Sequence, residues 1–471
     1  MSNQSDTKVT YLQKYAYNVL NSGYNVFMTG GAGTGKSFIL RKFIEKSTEQ
    51  GLNVMVTAPT GVAALNIGGI TIHRSFNTPL GPLTYTRCNV EVSDELVNTD
   101  IVVIDEISMC RIDLFEFIAN KILTANQKRR NLLKPSIQLV VSGDFFQLPP
   151  VITKFDKSAI ERYYGTSVRS GFAFQSKFWR LFDFKYIILT EVLRQTDIEF
   201  MSKLNELRCG NIGTLEYFYK NSNPNLIENG ITLCGTRSEA DSKNASELAK
   251  LPGETHEYMA IIEGDIESSE YTSENILELK IGARVMITMN ESKNDSNIGT
   301  NYTYINGSLG HIVGLGENEI NVELDTGETV SISRDTETVY QYTLQESENN
   351  SNKLMLVKEE IGSVEQFPLR LAYAITIHKS QGQTYENVNL SPYSWDCGQL
   401  YVAISRMRSL NGLHFNYEPN IKDVKVSSDV IAFHNEIVKE ANKNVDIHER
   451  KTEIKIENRD ASSLLDMLSK L

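Results

Sequence analysis

Only five cysteines occur in the 471 residues. Cys88, Cys110, Cys209, Cys234 and Cys397 are scattered, odd in number and form no C-x-x-C pair. That excludes a disulfide framework and gives no support to a zinc site. Positive charge is also short, with 47 Lys and Arg against 59 Asp and Glu and a net charge of −12. Such a balance argues against a protein that coats nucleic acid non-specifically, while leaving room for a narrow basic channel. No apolar run approaches the length of a membrane span, so no membrane partner is expected. Met1 to Thr10 is polar, without the character of a signal peptide. The expected location is cytoplasmic, nucleoid-associated in a bacterium or phage, and nuclear or mitochondrial in a eukaryote. With 41% hydrophobic and 23% charged residues, the chain reads as globular, with about three domains by length.

Against these absences stands one stretch, Val26-Phe27-Met28-Thr29-Gly30-Gly31-Ala32-Gly33-Thr34-Gly35-Lys36-Ser37. A β-branched and aromatic run feeds a glycine-rich turn, and G-x-x-x-x-G-K-S from Gly30 to Ser37 has the form of a phosphate-binding loop. Glycines let backbone N–H groups turn inward around a polyphosphate, and the following helix points its positive end at the same anion. Lys36 is placed for the β- and γ-phosphates and the Ser37 hydroxyl for Mg²⁺. Ile39, Leu40, Phe43 and Ile44 recur at helical spacing, and Gly51 stops the helix. The expectation is an NTP site using ATP and Mg²⁺.

The rest of the chain supplies partners for it. Thr7 to Leu20 predicts a first helix carrying Gln13, which by itself reads as a surface residue. A strand over 53–58 runs into Pro59-Thr60-Gly61, a small-residue helix over 62–66, and Thr71-Ile72-His73-Arg74-Ser75-Phe76. These hydroxyls, imidazole and ring suit phosphates and stacked bases. The alternative is an ordinary βα loop with Thr60 as cap. Residues 76–94, punctuated by proline and glycine, predict a small projecting element. Asp100 to Glu106 is an apolar strand ending in two carboxylates, Asp105 to hold Mg²⁺ through water and Glu106 to polarise the attacking water. A helix over 113–131 and a strand over 137–142 lead to Gly143-Asp144-Phe145-Phe146-Gln147-Leu148-Pro149-Pro150, where Gln147 can sense a γ-phosphate or the attacking water. The aromatic run Phe172 to Phe184 reads as core or interdomain packing in preference to base stacking.

A second α/β unit starts with a strand over 230–236 and a helix over 241–248. Short alternating strands at 285–289, 311–315, 319–324 and 329–333 predict a small inserted β-barrel. The polar segments 290–301 and 345–352 read as exposed mobile loops, and 369–377 as a helix leading into His378-Lys379-Ser380-Gln381-Gly382-Gln383-Thr384. After a strand over 388–391, the helix that begins at Gln399 carries Arg406, one turn beyond Val402, as a finger onto the γ-phosphate from the second domain. The tail from Asp429 is a Lys/Glu mixture ending in Leu464-Leu465-Met467-Leu468-Leu471. That stripe either binds a protein partner or docks on its own chain.

Taken together, GGAGTGKS, APTGVAALNIGGITIHRSF, VIDEISM, GDFFQLPPV, LTEVLRQ, LKIGARVMITMN, INGSLG, AITIHKSQGQT and QLYVAISRMRS resemble the Pif-one family of 5′→3′ DNA helicases, relatives of the RecD helicases in superfamily one. The match runs from about 9 to 417. The resemblance implies an α/β fold of two RecA-like parallel-sheet P-loop domains, with ATP between them, a wedge inserted in the first and an SH3-like barrel in the second. It divides the chain into 1–185 (wedge about 76–94), 186–260 with 364–425, an inserted 261–363, and a tail 426–471. It makes Gln13 the adenine-reading residue and adds Gly30, Gly31, Ala32, Gly33, Thr34, Gly35, Lys36, Ser37 and Gly382 to the nucleotide site. Arg194 joins Arg406 as a second arginine reaching the triphosphate. Thr60, Asn66, His73, His378, Lys379 and Ser380 fall in the neighbourhood of single-strand contacts. The segment Arg111 to Gln138 departs from the pattern, with Asn120 near the first position of the yeast-type A-R-x-x-R helix and Lys134-Pro135-Ser136 in place of a Gly-Gly. No specialised substrate such as quadruplex DNA is therefore implied.

The implied activity is ATP-driven 5′→3′ movement on single-stranded DNA and unwinding at duplex junctions by a monomer, in repair, recombination, replication or telomere maintenance. Three alternatives stand beside it: a DNA-stimulated translocase that remodels nucleoprotein without unwinding, a related RNA-acting helicase, and a nucleotide-switched binding module.

Overall fold

The structure is a computed structural model and describes residues 10–78, 83, 92–152, 154–165, 171–191, 198–267, 271, 273–289, 291–293, 301–304, 306–347 and 350–456. Most of the expected wedge, Arg194 and the terminal leucine stripe lie outside the described residues.

The first domain is a six-stranded parallel sheet in the order β3-β2-β4-β5-β1-β6. Its strands are β1 (Val26–Gly30), β2 (Val54–Ala58), β3 (Ile70–Thr71), β4 (Ile101–Ile104), β5 (Gln138–Ser142) and β6 (Lys185–Leu189). β1, β4 and β5 are buried along their whole length. A parallel strand covered on both faces needs apolar residues at every position, not alternate ones. Successive side chains still point to opposite faces. Val26 and Met28 meet helices α1 (Tyr11–Leu20) and α2 (Lys36–Glu49) through Ala16, Leu20, Leu40 and Phe43. Phe27 meets Phe115, Ile118 and Trp179 on the other side.

The aromatic run at 172–184 joins that second core as expected, with Phe172, Trp179, Phe182 and Phe184 all buried. The long helix Ser428–Ile456 returns to the same place. Its Phe433 stacks on Phe174 at 4.2 Å and 3°, and Val430 and Ile437 are buried beside it.

The second domain is a four-stranded parallel sheet in the order Ala374–Thr376, β7 (Ile231–Cys234), Val388–Leu390, Leu413–Phe415. Its core is filled by Leu204 and Leu207 of the helix Ile198–Arg208 and by Leu400, Val402 and Ile404 of the helix Gln399–Ser405. Between β7 and Ala374 lies an antiparallel five-stranded sheet, in the order Thr329–Ser333, Glu319–Leu324, Leu309–Leu315, Arg284–Ile287, Leu369–Leu371. Two of these strands alternate buried and exposed residues throughout, as half-buried strands do.

Two expectations are corrected. Residues 369–376 form no helix, and a short 3-10 turn begins only at Ile377. Leu369–Leu371 pairs with Arg284–Ile287, and Ala374–Thr376 pairs with β7, so the segment steps from one sheet to the other. Of the polar stretch at 345–352, residues 345–347 and 350–352 are not a free loop but belong to the paired strands of a long hairpin, Asp335–Ser347 with Asn350–Gln366. Similarly, Glu291–Lys293 and Asn301–Tyr304 at the ends of the other polar stretch pair with each other. No helix among the described residues is long and apolar enough to cross a membrane.

Candidate nucleotide site and nucleic-acid face

The phosphate loop joins β1 to α2. Gly35 takes φ of +87° as the residue before the helix, and a Cβ there would stand 2.4 Å from Gln13 Nε2. Only glycine fits both demands. Thr34 Oγ1 donates to Gly31 O at 2.9 Å, bracing the loop from within. Lys36 Nζ donates to the carbonyls of Gly30 and Gly31 at 2.8 and 3.0 Å. Desolvation pushes the Lys36 pKa down against the opposing carboxylates of Asp144, Glu106 and Asp105. Gln13 is buried, not a surface residue. It closes the capping box of α1 with Thr10, and its Nε2 donates to Thr34 O at 3.0 Å.

β4 delivers the two carboxylates. Asp105 Oδ2 accepts from Ser37 Oγ at 3.5 Å, and burial raises its pKa with Lys36 among the opposing charges. Glu106 is held at φ 51°, ψ 44°, a left-handed conformation that a non-glycine residue adopts at a cost. Its Oε2 is buried with no hydrogen-bond partner among the described residues. Burial and then the neighbouring Asp105 raise its pKa, while Lys36 and Arg406 oppose the rise. This carboxylate is poised to take a hydrogen bond from a water.

The second domain closes on these groups. Gln381 Nε2 donates to Gln147 Oε1 at 3.3 Å, and Asn66 Nδ2 to Gly382 O at 3.2 Å. Arg406, 7% exposed, donates to Val402 O, Gln383 O and Ser405 Oγ. Desolvation lowers its pKa, and Glu106 is the strongest influence in the other direction.

The motifs assign no role to three further groups. Asp144, fully buried, accepts from Arg208 Nε and Nη2 at 2.8–3.1 Å and from Tyr401 OH at 3.1 Å. Tyr401 OH in turn accepts from Ala32 N, inside the phosphate loop, at 3.0 Å. Burial alone would raise the Asp144 pKa, but the Arg208 charge and hydrogen bonds bring it below the ordinary carboxylate value. The guanidinium of Arg208 also lies 4.3 Å over the Phe146 ring. No local signal in the sequence points to Arg208, because the acid it pairs with is 64 residues away.

The candidate nucleic-acid residues separate. Thr60 caps helix α3 (Gly61–Asn66) by accepting from Ala63 N, the alternative weighed for it. Ser380 is fully buried and donates to Ile377 O, so it holds its turn. His73 is half-buried, and desolvation and then Arg111 lower its pKa. His378 stacks on Trp395, with ring centroids 5.6 Å apart. Lys379 is exposed, and its pKa is lowered to about 8 by desolvation and by the like charges of Arg370 and Arg237. An anionic strand would relieve that repulsion.

For a magnesium nucleotide, the donor set fits. Ser37 and Asp105 offer one hydroxyl and one carboxylate oxygen, suited to an ion that keeps several waters. No cluster of three metal-binding side chains occurs among the described residues.

Comparison with known proteins gives a consistent picture. The family model described as PIF1-like helicase matches residues 4–214. The ATP-dependent DNA helicase Pif1 of Bdellovibrio bacteriovorus is 30% identical over 437 residues, 88% of this chain and 90% of that protein. The ATP-dependent DNA helicase PIF1 of Danio rerio is 31% identical over 92% of this chain, which spans 64% of that relative's length. A Bacteroides Pif1 helicase solved in complex with ADP-AlF3 and ssDNA is 34% identical, covers 93% of this chain and 99% of its own, and superposes with a TM-score of 0.76.

Proposed function

This chain belongs to the PIF1-like helicase family, and from that premise we propose that it is an ATP-dependent DNA helicase moving 5′→3′ on single-stranded DNA. The observation that carries the proposal is the two-sided site. Lys36, Asp105, Glu106 and Gln147 of one RecA-like domain face Gln381, Tyr401 and Arg406 of the other. Lys36 holds the phosphates, Glu106 orients and deprotonates the attacking water, and Gln147 reads the γ-phosphate. Arg406 leaves its own helix carbonyl to stabilise charge as the phosphoryl group departs, joined by Arg194. Gln13, against Thr34, reads the adenine. Ser37 and, through water, Asp105 would hold magnesium, which would supply counter-charge to the phosphates.

Because the groups belong to two domains, binding favours closure and hydrolysis favours reopening. Each cycle moves a strand past Asn66, His73, His378 and Lys379, in contacts that are sequence-blind and salt-sensitive. We further read the antiparallel insertion as SH3-like and residues 76–94 as the wedge. The place of action is wherever single-stranded DNA arises, in a nucleoid, nucleus or mitochondrion.

The test is ATPase rate with and without single-stranded DNA, beside unwinding of duplexes with a 5′ or a 3′ tail. Stimulation with unwinding only from the 5′ tail is expected. Stimulation without unwinding would replace the helicase by a translocase, and no stimulation would refute a nucleic-acid motor.

A further inference from the structure

All four strands of the second sheet bring a residue of one cluster to their carboxyl ends. His378 follows Ala374–Thr376, Gly235 follows β7, Tyr393 and Trp395 follow Val388–Leu390, and Tyr417 follows Leu413–Phe415. Trp395 lies over His378 with planes 17° apart. Its Nε1 donates to Gly235 O at 2.8 Å, and its backbone N donates to Oε1 of the fully buried Gln399 at 2.8 Å. Tyr417 OH accepts from Tyr393 N at 3.3 Å. Gly235 permits the assembly, since a Cβ there would fall 2.0 Å from Tyr393 O.

The indole is thus fixed by a ring beneath it and hydrogen bonds at its edge and backbone, yet it is 52% exposed. Tyr393 and Tyr417 are 47% and 46% exposed. Three large rings left open together are not what a core requires, and their rigidity removes the entropy that a ligand would otherwise have to overcome. Asp396, the acid next in sequence, accepts from Cys397 N within its own loop. Cations lie on either side in sequence: Lys379 follows His378, and Arg237 lies two residues past Gly235. Open α/β sheets bind ligands outside the carboxyl ends of their strands. Flat aromatic faces flanked by cations match a base joined to phosphates.

We propose that Trp395, backed by His378 and flanked by Tyr393 and Tyr417, is a stacking platform for a base of single-stranded nucleic acid. The proposal rests on the reading of this chain as acting on single strands. It adds a contact made to a base, where Lys379 offers one to phosphate.

The chain has two tryptophans, and Trp179 is 1% exposed in the core of the first domain. A change in tryptophan emission when a strand binds therefore reports chiefly on Trp395, since Trp179 is shielded from the strand. The experiment titrates the protein with oligo-dT and with an abasic oligodeoxynucleotide of equal length, following emission and, in parallel, anisotropy of labelled strands. Quenching by oligo-dT but not by the abasic strand is expected, absent from Trp395→Phe. Affinity for oligo-dT should fall about tenfold in Trp395→Ala and at most about threefold in Trp395→Phe, as a stacking contact requires. Binding by anisotropy with unchanged emission, or equal quenching by both strands, would overturn the platform while leaving single-strand binding intact. No binding of either strand would overturn both the platform and the reading beneath it. The wild-type titration needs no variant to fold.

Discussion

The two sides of the nucleotide cleft are built differently. On the first domain, the functional groups sit at the carboxyl ends of buried strands, and backbone fixes them: Gly35 at positive φ, Glu106 in a left-handed turn, Lys36 at a helix start. On the second, they are long side chains from helices and turns, Gln381, Tyr401 and Arg406, each held by hydrogen bonds that another partner can replace. One side is a cradle and the other a set of exchangeable contacts. Such a pairing lets a nucleotide alter how the domains meet without altering either fold.

Removing the cradle's charge should have the largest effect. Lys36→Ala is expected to lose ATP hydrolysis altogether, because phosphate charge is then uncompensated where the loop amides converge. Substantial turnover in that variant would sink the site assignment. On the exchangeable side, Arg406→Ala should retain nucleotide binding while kcat falls about a thousandfold or more, the loss expected for an arginine finger. Nucleotide affinity by fluorescence titration and kcat by phosphate release separate the two, and an unimpaired kcat would end the finger role.

Arg208 breaks the symmetry of the comparison, since it belongs to the second domain but is as fixed as anything in the first. Its removal leaves Asp144 fully buried without its main counter-charge, which costs about 3–5 kcal/mol in comparable buried pairs. Arg208→Ala should therefore lower the unfolding midpoint clearly, and a second change, Asp144→Asn, should restore most of the loss. Chemical denaturation of the wild type and the two variants gives the answer. A loss below about 1 kcal/mol in the single variant would show the pair to be dispensable.

How far the sequence reveals each side follows the same division. The cradle was legible because its parts are local: loop glycines, lysine and hydroxyl lie within eight residues, and β4 carries its carboxylates at its own end. The other side was legible only where a helix spacing pointed at the cleft, as for Arg406. Tyr401 and Asp144 are 257 residues apart, and Arg208 and Asp144 are 64 apart, distances that no local pattern spans. The misread segment at 369–377 has the same cause. Leu369, Ala372 and Ile375 recur at a spacing that suits a helix, and a short apolar run does not by itself distinguish helix from strand. Pairing with Arg284–Ile287 and with β7, both distant in sequence, decided it.

Two smaller effects sharpen the contrast. Lys379, with a pKa of about 8 in the free chain, binds a polyanion best when charged, so a bound strand raises that pKa. Affinity for single-stranded DNA should be full below pH 8 and fall as pH rises through 8 and beyond. The fall approaches about tenfold for each pKa unit gained on binding. Lys379→Met should bind more weakly at pH 7 and lose this dependence on pH. A pH profile unchanged in that variant would assign the titration elsewhere.

Tyr401 tests exchange most directly. Burial and Asp144 raise its pKa, so the hydroxyl stays protonated, donating to Asp144 while accepting from Ala32 N. If that amide turns to a phosphate when nucleotide binds, Tyr401 competes with the nucleotide for it. Tyr401→Phe leaves the Ala32 amide without this acceptor in the free chain, so ADP should bind about fivefold tighter, the worth of about one hydrogen bond near 1 kcal/mol. The same change should lower the stability of the nucleotide-free protein by a similar amount. Calorimetric titration with ADP and thermal unfolding without it measure the two sides of one exchange. Loss of stability with unchanged ADP affinity would mean that Ala32 N keeps its place when nucleotide binds, and that Tyr401 is a fixed part of the cradle.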